Sequence, residues 1–405
     1  MSPPSPSPLP SLQAWIRPAW FFAGLLAGLA VLSWCGWRSG RTDYHPGFQR
    51  VYPAISPETS YYPTVNELAA IVRHRCRPDQ VLVLIGGNSI LEGVWQPVSD
   101  LWSRRLQELL GERFCVVNLA FRGGSPTDGA AVVAEVLRRE FPRQILVVDE
   151  APFNGVDSIA HEPYRYLFWQ AYFRGWLEDL PERNRHVAEY QLDREQRHRF
   201  LEAAADAWLD RVLHFHDLWN RVCFERLCTV PSLLGASVPE LLRPRVRFLD
   251  EEPDAYDPAF LASKYPASSL EAEMAIVRNL SGQFYRRDRT GAWRFPDAKR
   301  RELARSYREA FPPDLAARTL VLLGHSSPYY VQRLTPEERA LYHRGFEESR
   351  ALWRAAGYPA LIYGADYTED DFGDRIHLSK TGGRKLAEQV GAEVGSLAKS
   401  LSYLP

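Results

Sequence analysis

Five short apolar runs, four of them trailed by a helix-patterned stretch, constrain this chain more than any other feature. VLVLIG (81–86), FCVVNLA (114–120), QILVVDE (144–150), TLVLLGH (319–325) and PALIYGA (359–365) are too short for independent helices. They are also too uniformly apolar for strands with one wet face. Between and after them, LWSRRLQELLGER, TDGAAVVAEVLRREF, PEERALYHRGFEESRALWRAAG and GGRKLAEQVGAEVGSLAKSL repeat their apolar residues at helical spacing. Strands buried on both faces, alternating with helices, predict an α/β fold built on a parallel sheet covered on both sides.

The rhythm stops between Asn154 and about Leu315, where the pattern is helix and loop without convincing strands. One core, residues 79–155 and 316–405, interrupted by a helical insertion over 156–315, fits this better than two consecutive domains. Ahead of it, a Pro/Ser tail (1–18) leads into AWFFAGLLAGLAVLSWCGW, residues 19–37, which carries no charge. Nineteen residues at helical rise approach the hydrocarbon thickness of a bilayer, and Trp20, Trp34 and Trp37 sit where interfacial anchors belong. A cleaved signal would need a shorter apolar run and a small-residue site, and bulky Trp34 before Cys35 argues against lipoprotein processing. The reading is an uncleaved transmembrane helix. Arg17 before it and Arg38 and Arg41 after it encode its orientation only weakly. Residues 38–78, rich in Pro, Tyr and Ser, read as a membrane-proximal linker.

A net charge of -1 and the lack of a basic stripe give no case for nucleic acid as a partner. Cys35, Cys76, Cys115, Cys223 and Cys228 form no CxxC pair, so neither a zinc site nor a thioredoxin-like motif is supported. Their pairing cannot be deduced from spacing, and small buried residues are the simpler expectation.

Chemistry in a parallel sheet gathers beyond the carboxyl ends of its strands. Those ends read GGNS (86–89), NLAFRGGS (118–125), DEAPFNG (149–155), GHSSPYY (324–330) and, after the last, DYTEDDFGDRIHLSKTGG (366–383). Acyl transfer through a serine needs a base in reach, an acid to orient that base, and donors aimed at a developing oxyanion. Ser89 opens a helix with its amide unpartnered, and Gly123 lets a backbone N–H approach a ligand closely. Asn154 offers a neutral NH2 donor. Asp374 and His377, three apart before a helix, can place a carboxylate behind an imidazole.

In this order the blocks resemble the SGNH (GDSL-type) hydrolase superfamily. GNS resembles its nucleophile block and gives Ser89; VVNLAFRGGS resembles its glycine block and gives Gly123, with Gly124 as neighbour. FNG gives Asn154, displaced by about two residues from the family's spacing, and DRIHLSKTGG gives Asp374 and His377. Asn88 stands where the family usually has Asp. The resemblance spans roughly residues 80–155 and 316–400. It implies a flavodoxin-like doubly wound sheet with Ser89, Asp374 and His377 catalytic and an oxyanion hole of Ser89, Gly123 and Asn154. It implies no cofactor and no metal. The layout of anchor, insertion and C-terminal Asp-x-x-His is most similar to cell-envelope members. That implies an extracytoplasmic serine esterase or O-acyltransferase, an acyl-ester substrate on a glycan and a membrane-bound acyl-transfer partner. A catalytically silent carbohydrate-binding or assembly scaffold on the same fold is the alternative.

Each piece alone has a plainer reading: a helix cap for Ser89, turn residues for Gly123 and Asn154, loop residues for Asp374 and His377. GHSS at 324–327 lacks the closing glycine of a nucleophile elbow and reads as a structural turn. HEP (161–163) and HFH (214–216) lack metal-ligand spacing. The aromatic run YRYLFWQAYFRGW (164–176) is expected in the insertion's core, with a lid over Ser89 as the alternative.

Overall fold

A computed structural model describes residues 18–43, 50, 54–56, 59–60, 63–156, 165–228 and 267–404. At its centre lie five parallel strands: β1 (Val81–Ile85), β2 (Phe114–Asn118), β3 (Gln144–Asp149), β4 (Thr319–Gly324) and β5 (Ala360–Tyr363). These are the five apolar runs of the sequence, in the spatial order β2-β1-β3-β4-β5. That order is compatible with a flavodoxin-like fold and puts its topological switch between β1 and β3.

Period-two alternation divides the strand residues between two cores. Leu82, Leu84, Leu146, Val148, Val321 and Leu323 enter one core, with helices Val65–Arg75, Ala130–Leu137 and Pro336–Ala355. Val81, Val83, Ile85, Ile145, Val147, Leu320 and Leu322 enter the other, beneath helices Trp102–Leu110 and Lys380–Ser400. Both faces are therefore dry, which is why the strands carry no polar alternation.

Helix Val65–Arg75 falls inside the stretch read as linker. Thr64 and Glu67 form a reciprocal capping box, and Val65, Leu68, Ala69, Ile71 and Val72 are buried. A disulfide ties Cys76, at its C-terminus, to Cys115 in β2, with the Cα atoms 5.6 Å apart. This corrects the expectation that the cysteines are merely small buried residues; Cys35 is a free thiol.

The insertion is mainly helical: Arg165–Phe173, Pro181–Leu192, Arg194–Leu213, Phe215–Cys228, Ala267–Asn279 and Asp297–Arg308. Among its described residues the strands are a two-residue ribbon, Arg286–Arg287 against Trp293–Arg294. Its aromatic run is interior over residues 167–171, half-buried at Tyr172 and Phe173, and exposed at Trp176. Leu167 and Ala171 join the main core, while Phe168 and Trp169 pack with Val187 and Tyr190. Tyr164 lies outside the described residues. The end of the insertion belongs to the layer covering the sheet, since Tyr307 stacks on Trp353 with ring centroids 3.8 Å apart. Among the described residues one helix, Pro18–Ser39, is long and apolar enough over Trp20–Ser39 to cross a membrane.

Candidate active site

β1 runs out into Gly86-Gly87-Asn88 and a single helical turn, Ser89–Glu92. Gly87 has φ +94, where a side chain is strained, and a Cβ there would collide with the Asp149 carboxylate at the end of β3. The chain thus passes close over the neighbouring strand end, and the Asn88 amide donates to Asp149 Oδ1 at 3.4 Å. Asn88 Oδ1 in turn accepts the Ile90 amide at 2.8 Å, so Asn88 is the cap of this turn. Ser89 is left to do something else. Its hydroxyl lies 2.7 Å from His377 Nε2.

His377 reaches Ser89 from the loop after β5. Its Nδ1 is 2.5 Å from Asp374 Oδ2, while Asp374 Oδ1 accepts the Ile376 and His377 amides at 2.9 and 2.8 Å. Burial pushes the Asp374 carboxyl up, but the His377 ring and these amides outweigh it and hold it well below the ordinary carboxylate range. An ionised carboxylate only accepts, so the imidazole proton sits on Nδ1 and the Nε2 lone pair faces the Ser89 hydroxyl. In this arrangement the ring can take the serine proton.

The loop itself is clamped. The Gly373 amide donates to the His377 carbonyl at 2.8 Å, and the Ser327 amide donates to the Arg375 carbonyl at 2.8 Å. Arg375 Nε is 2.5 Å from Glu273 Oε2 of the insertion. The Ser327 hydroxyl caps helix Pro328–Val331, as a structural turn at GHSS requires.

Three of the five residues expected at the site are joined by hydrogen bonds: Ser89, His377 and Asp374. Gly123 and Asn154 are not joined to them. Gly123 is exposed with φ +75, and among the described residues neither its amide nor that of Ser89 donates to a protein acceptor. Gly124 packs against the Gly87 carbonyl, where a Cβ would clash. Asn154 is exposed, and its amide donates to Glu150 Oε1 at 3.1 Å. Burial at the strand ends pushes Asp149 up to about 6 and Glu150 up to about 8.

Two contributors were not legible in the sequence. Trp95 donates its indole N–H to Asp374 Oδ2 at 3.0 Å from a left-handed backbone, φ +73, a conformation uncommon outside glycine. Arg50, buried, donates to the carbonyls of Glu92, Gly93 and Gln96 and so holds the turn that follows Ser89. Neither stands in a recognisable motif; Trp95 looks like one more apolar residue and Arg50 like part of a linker.

The histidines set aside as metal ligands have other partners. His214 and His216 lie 3.5 and 3.6 Å from Asp217 and Asp210, and among the described residues no cluster suits a metal. His161, of the HEP motif, lies outside the described residues. No protein-family model matches this chain, and no curated protein matches it.

Proposed function

We propose that this protein is a serine esterase or O-acyltransferase of the cell envelope, built on an SGNH-like version of the parallel sheet. The observation that carries the reading is the unbroken relay Ser89 Oγ, His377 Nε2, His377 Nδ1, Asp374 Oδ2 at 2.7 and 2.5 Å. It stands beyond the switch between β1 and β3, where open α/β sheets bind ligands.

Ser89 Oγ attacks the ester carbonyl as His377 Nε2 takes its proton. The negative oxygen rests on the Ser89 and Gly123 amides, both without protein acceptors among the described residues. Asn154 can join as a third donor through the second N–H of its Nδ2, the first being held by Glu150. Collapse of the intermediate breaks the ester bond, and His377 returns its proton to the departing alcohol. Water, or a sugar hydroxyl, then gives its proton to His377 and attacks the acyl-Ser89 carbonyl. Ser89 leaves and recovers the proton. Asp374 stays ionised throughout and steadies the imidazolium.

Two observations favour the envelope. Pro18–Ser39 is long and apolar enough to be an anchor, and a disulfide such as Cys76–Cys115 belongs to an oxidising compartment. The substrate is then an acyl ester on an envelope glycan, and a membrane-bound acyl-transfer protein is the natural donor partner.

The test uses the full chain in detergent micelles with p-nitrophenyl acetate. Wild type should release nitrophenol and gain the mass of one acetyl group on the peptide holding Ser89; Ser89→Ala should do neither. Release that accelerates on adding a saccharide, with the acetyl group recovered on the sugar, identifies transfer. If wild type and Ser89→Ala are equally inert while both retain glycans, the protein is a scaffold.

A further inference from the structure

The helices Arg194–Leu213 and Phe215–Cys228 leave large apolar side chains open to solvent while burying two acids. Asp210 and Asp217 are both 0% exposed, beside buried Ala207. Asp210 pairs with Arg174, and Asp217 accepts from the Thr64 hydroxyl and Asn66 amide at 2.6 and 2.8 Å. Among the residues they turn outward, beside charged ones such as Asp206 and Arg211, are four large apolar side chains. Trp208 is 66% exposed, Val212 56%, Phe215 53% and Trp219 55%. Trp208 and Val212 lie one turn apart on the first helix, Phe215 and Trp219 one turn apart on the second with rings stacked at 6.3 Å, and these two pairs, on helices that meet at His214, make up the exposed stripe. A soluble monomer rarely shows such a contiguous apolar face without a partner for it.

The membrane-crossing helix sits against these same two helices. Ser33 Oγ donates to the Val212 carbonyl at 2.7 Å. Gly36 and Gly40 approach His214 and Asp217 so closely that a Cβ at either would collide. Ser33 and Gly36 belong to the domain-proximal end of the apolar helix, beside Trp34 and Trp37, where the headgroup region of a bilayer begins. Whatever surrounds that end of the helix therefore also meets the exposed stripe.

We infer that the stripe Trp208, Val212, Phe215 and Trp219 is embedded in the lipid interface beside the anchor, so that the insertion is a second membrane contact. The inference rests on the reading of Pro18–Ser39 as a membrane span. Trp and Phe suit this depth, since flat amphipathic rings lie at the headgroup boundary, and the buried acids stay on the protein side away from lipid.

The test places a fluorescent, environment-sensitive amino acid at position 208 or 219 of the full chain in phosphatidylcholine nanodiscs. Position 29, mid-span, and position 347, exposed on the helix Pro336–Ala355, are references. Lipids carrying a spin label near the headgroup should remove at least half the emission at 208 and 219, and labels at the chain end should remove less. Position 29 should show the opposite preference, and position 347 no quenching. Quenching at 29 without quenching at 208 and 219 overturns the inference and leaves the anchor standing. So does emission at 208 and 219 that responds to protein concentration but not to labelled lipid, which marks a second copy on the stripe. No quenching at 29 removes the anchor and the inference together.

Discussion

The carboxylate beneath the turn that carries Ser89 gives the most quantitative handle on this structure. Asp149 ends β3, is buried, and accepts the Asn88 amide; burial pushes it up to about 6 from the ordinary aspartate value of 3.8. Between those values the folded protein holds a proton that the unfolded chain has released. Stability therefore falls as pH rises across this window, and it levels off above it. At about 1.36 kcal/mol per pH unit the loss is about 3 kcal/mol, fully present at pH 7 and absent below about pH 3.8. Asp149→Asn keeps the carbonyl acceptor for Asn88 but cannot ionise. Relative to wild type, the variant should therefore gain about 3 kcal/mol between pH 3.8 and pH 7.

Glu150 is pushed up to about 8 partly by the Asp149 charge, so the variant loses some of that penalty too, in the same direction. The assay is urea unfolding of the full chain in identical micelles over a pH series. Comparing variant with wild type at each pH cancels the titration of distant groups. A stability difference that stays flat from pH 4 to pH 7 would refute the reasoning, because Asp149 would then ionise in the fold as it does in water.

The other expectations concern catalysis and the cross-link. Asp374→Asn should leave the loop in place, since Oδ1 still accepts from Ile376 and His377, but present an N–H to His377 Nδ1 and force the wrong tautomer. A kcat loss on the order of 10⁴-fold is expected in steady-state ester hydrolysis. Trp95→Phe removes one donor from a half-buried, ionised carboxylate, worth about 1.5–3 kcal/mol, so kcat should fall by about 10- to 100-fold with KM little changed. A non-reduced digest should yield the peptides of Cys76 and Cys115 as one linked mass. Replacing both by Ser opens a loop spanning 39 residues and should cost about 4 kcal/mol in the same urea assay.

What the sequence revealed depended on whether a residue's surroundings were local. All five strands of the parallel sheet are legible because burial on both faces leaves a continuous apolar run, a signal confined to four to six residues. Helix Val65–Arg75 announces itself as locally, through the Thr64-x-x-Glu67 box and the apolar spacing after it. It was overlooked because the Pro and Tyr residues upstream coloured the whole stretch as linker. The disulfide could not be read, since Cys76 and Cys115 become neighbours only when β2 pairs with β1. The partners of Trp95 and Asn154 depend on orientation, which residue type does not encode: Trp95 donates to Asp374 and Asn154 to Glu150.

The meeting of Ser89 with His377, 288 residues apart, has a topological cause. β5 is the edge strand farthest from β2, and a helix following it could have stayed at that edge. Instead Lys380–Ser400 lies against Trp102–Leu110, the helix between β1 and β2. Leu386, Val390 and Val394 share its core with Val83 and Ile85. To reach that position the chain must travel back across the carboxyl edge of the sheet after β5. The residues that make the crossing are 364–379, and the hydrogen bond from the Ser327 amide to the Arg375 carbonyl pins them over the end of β4 on the way. Asp374 and His377 are the part of the crossing that comes to rest above the end of β1. The site is therefore set by where the last helix finds its apolar partner. Substitutions that loosen Leu386 or Val390, far from any chemistry, act on the Ser89–His377 distance through the same crossing.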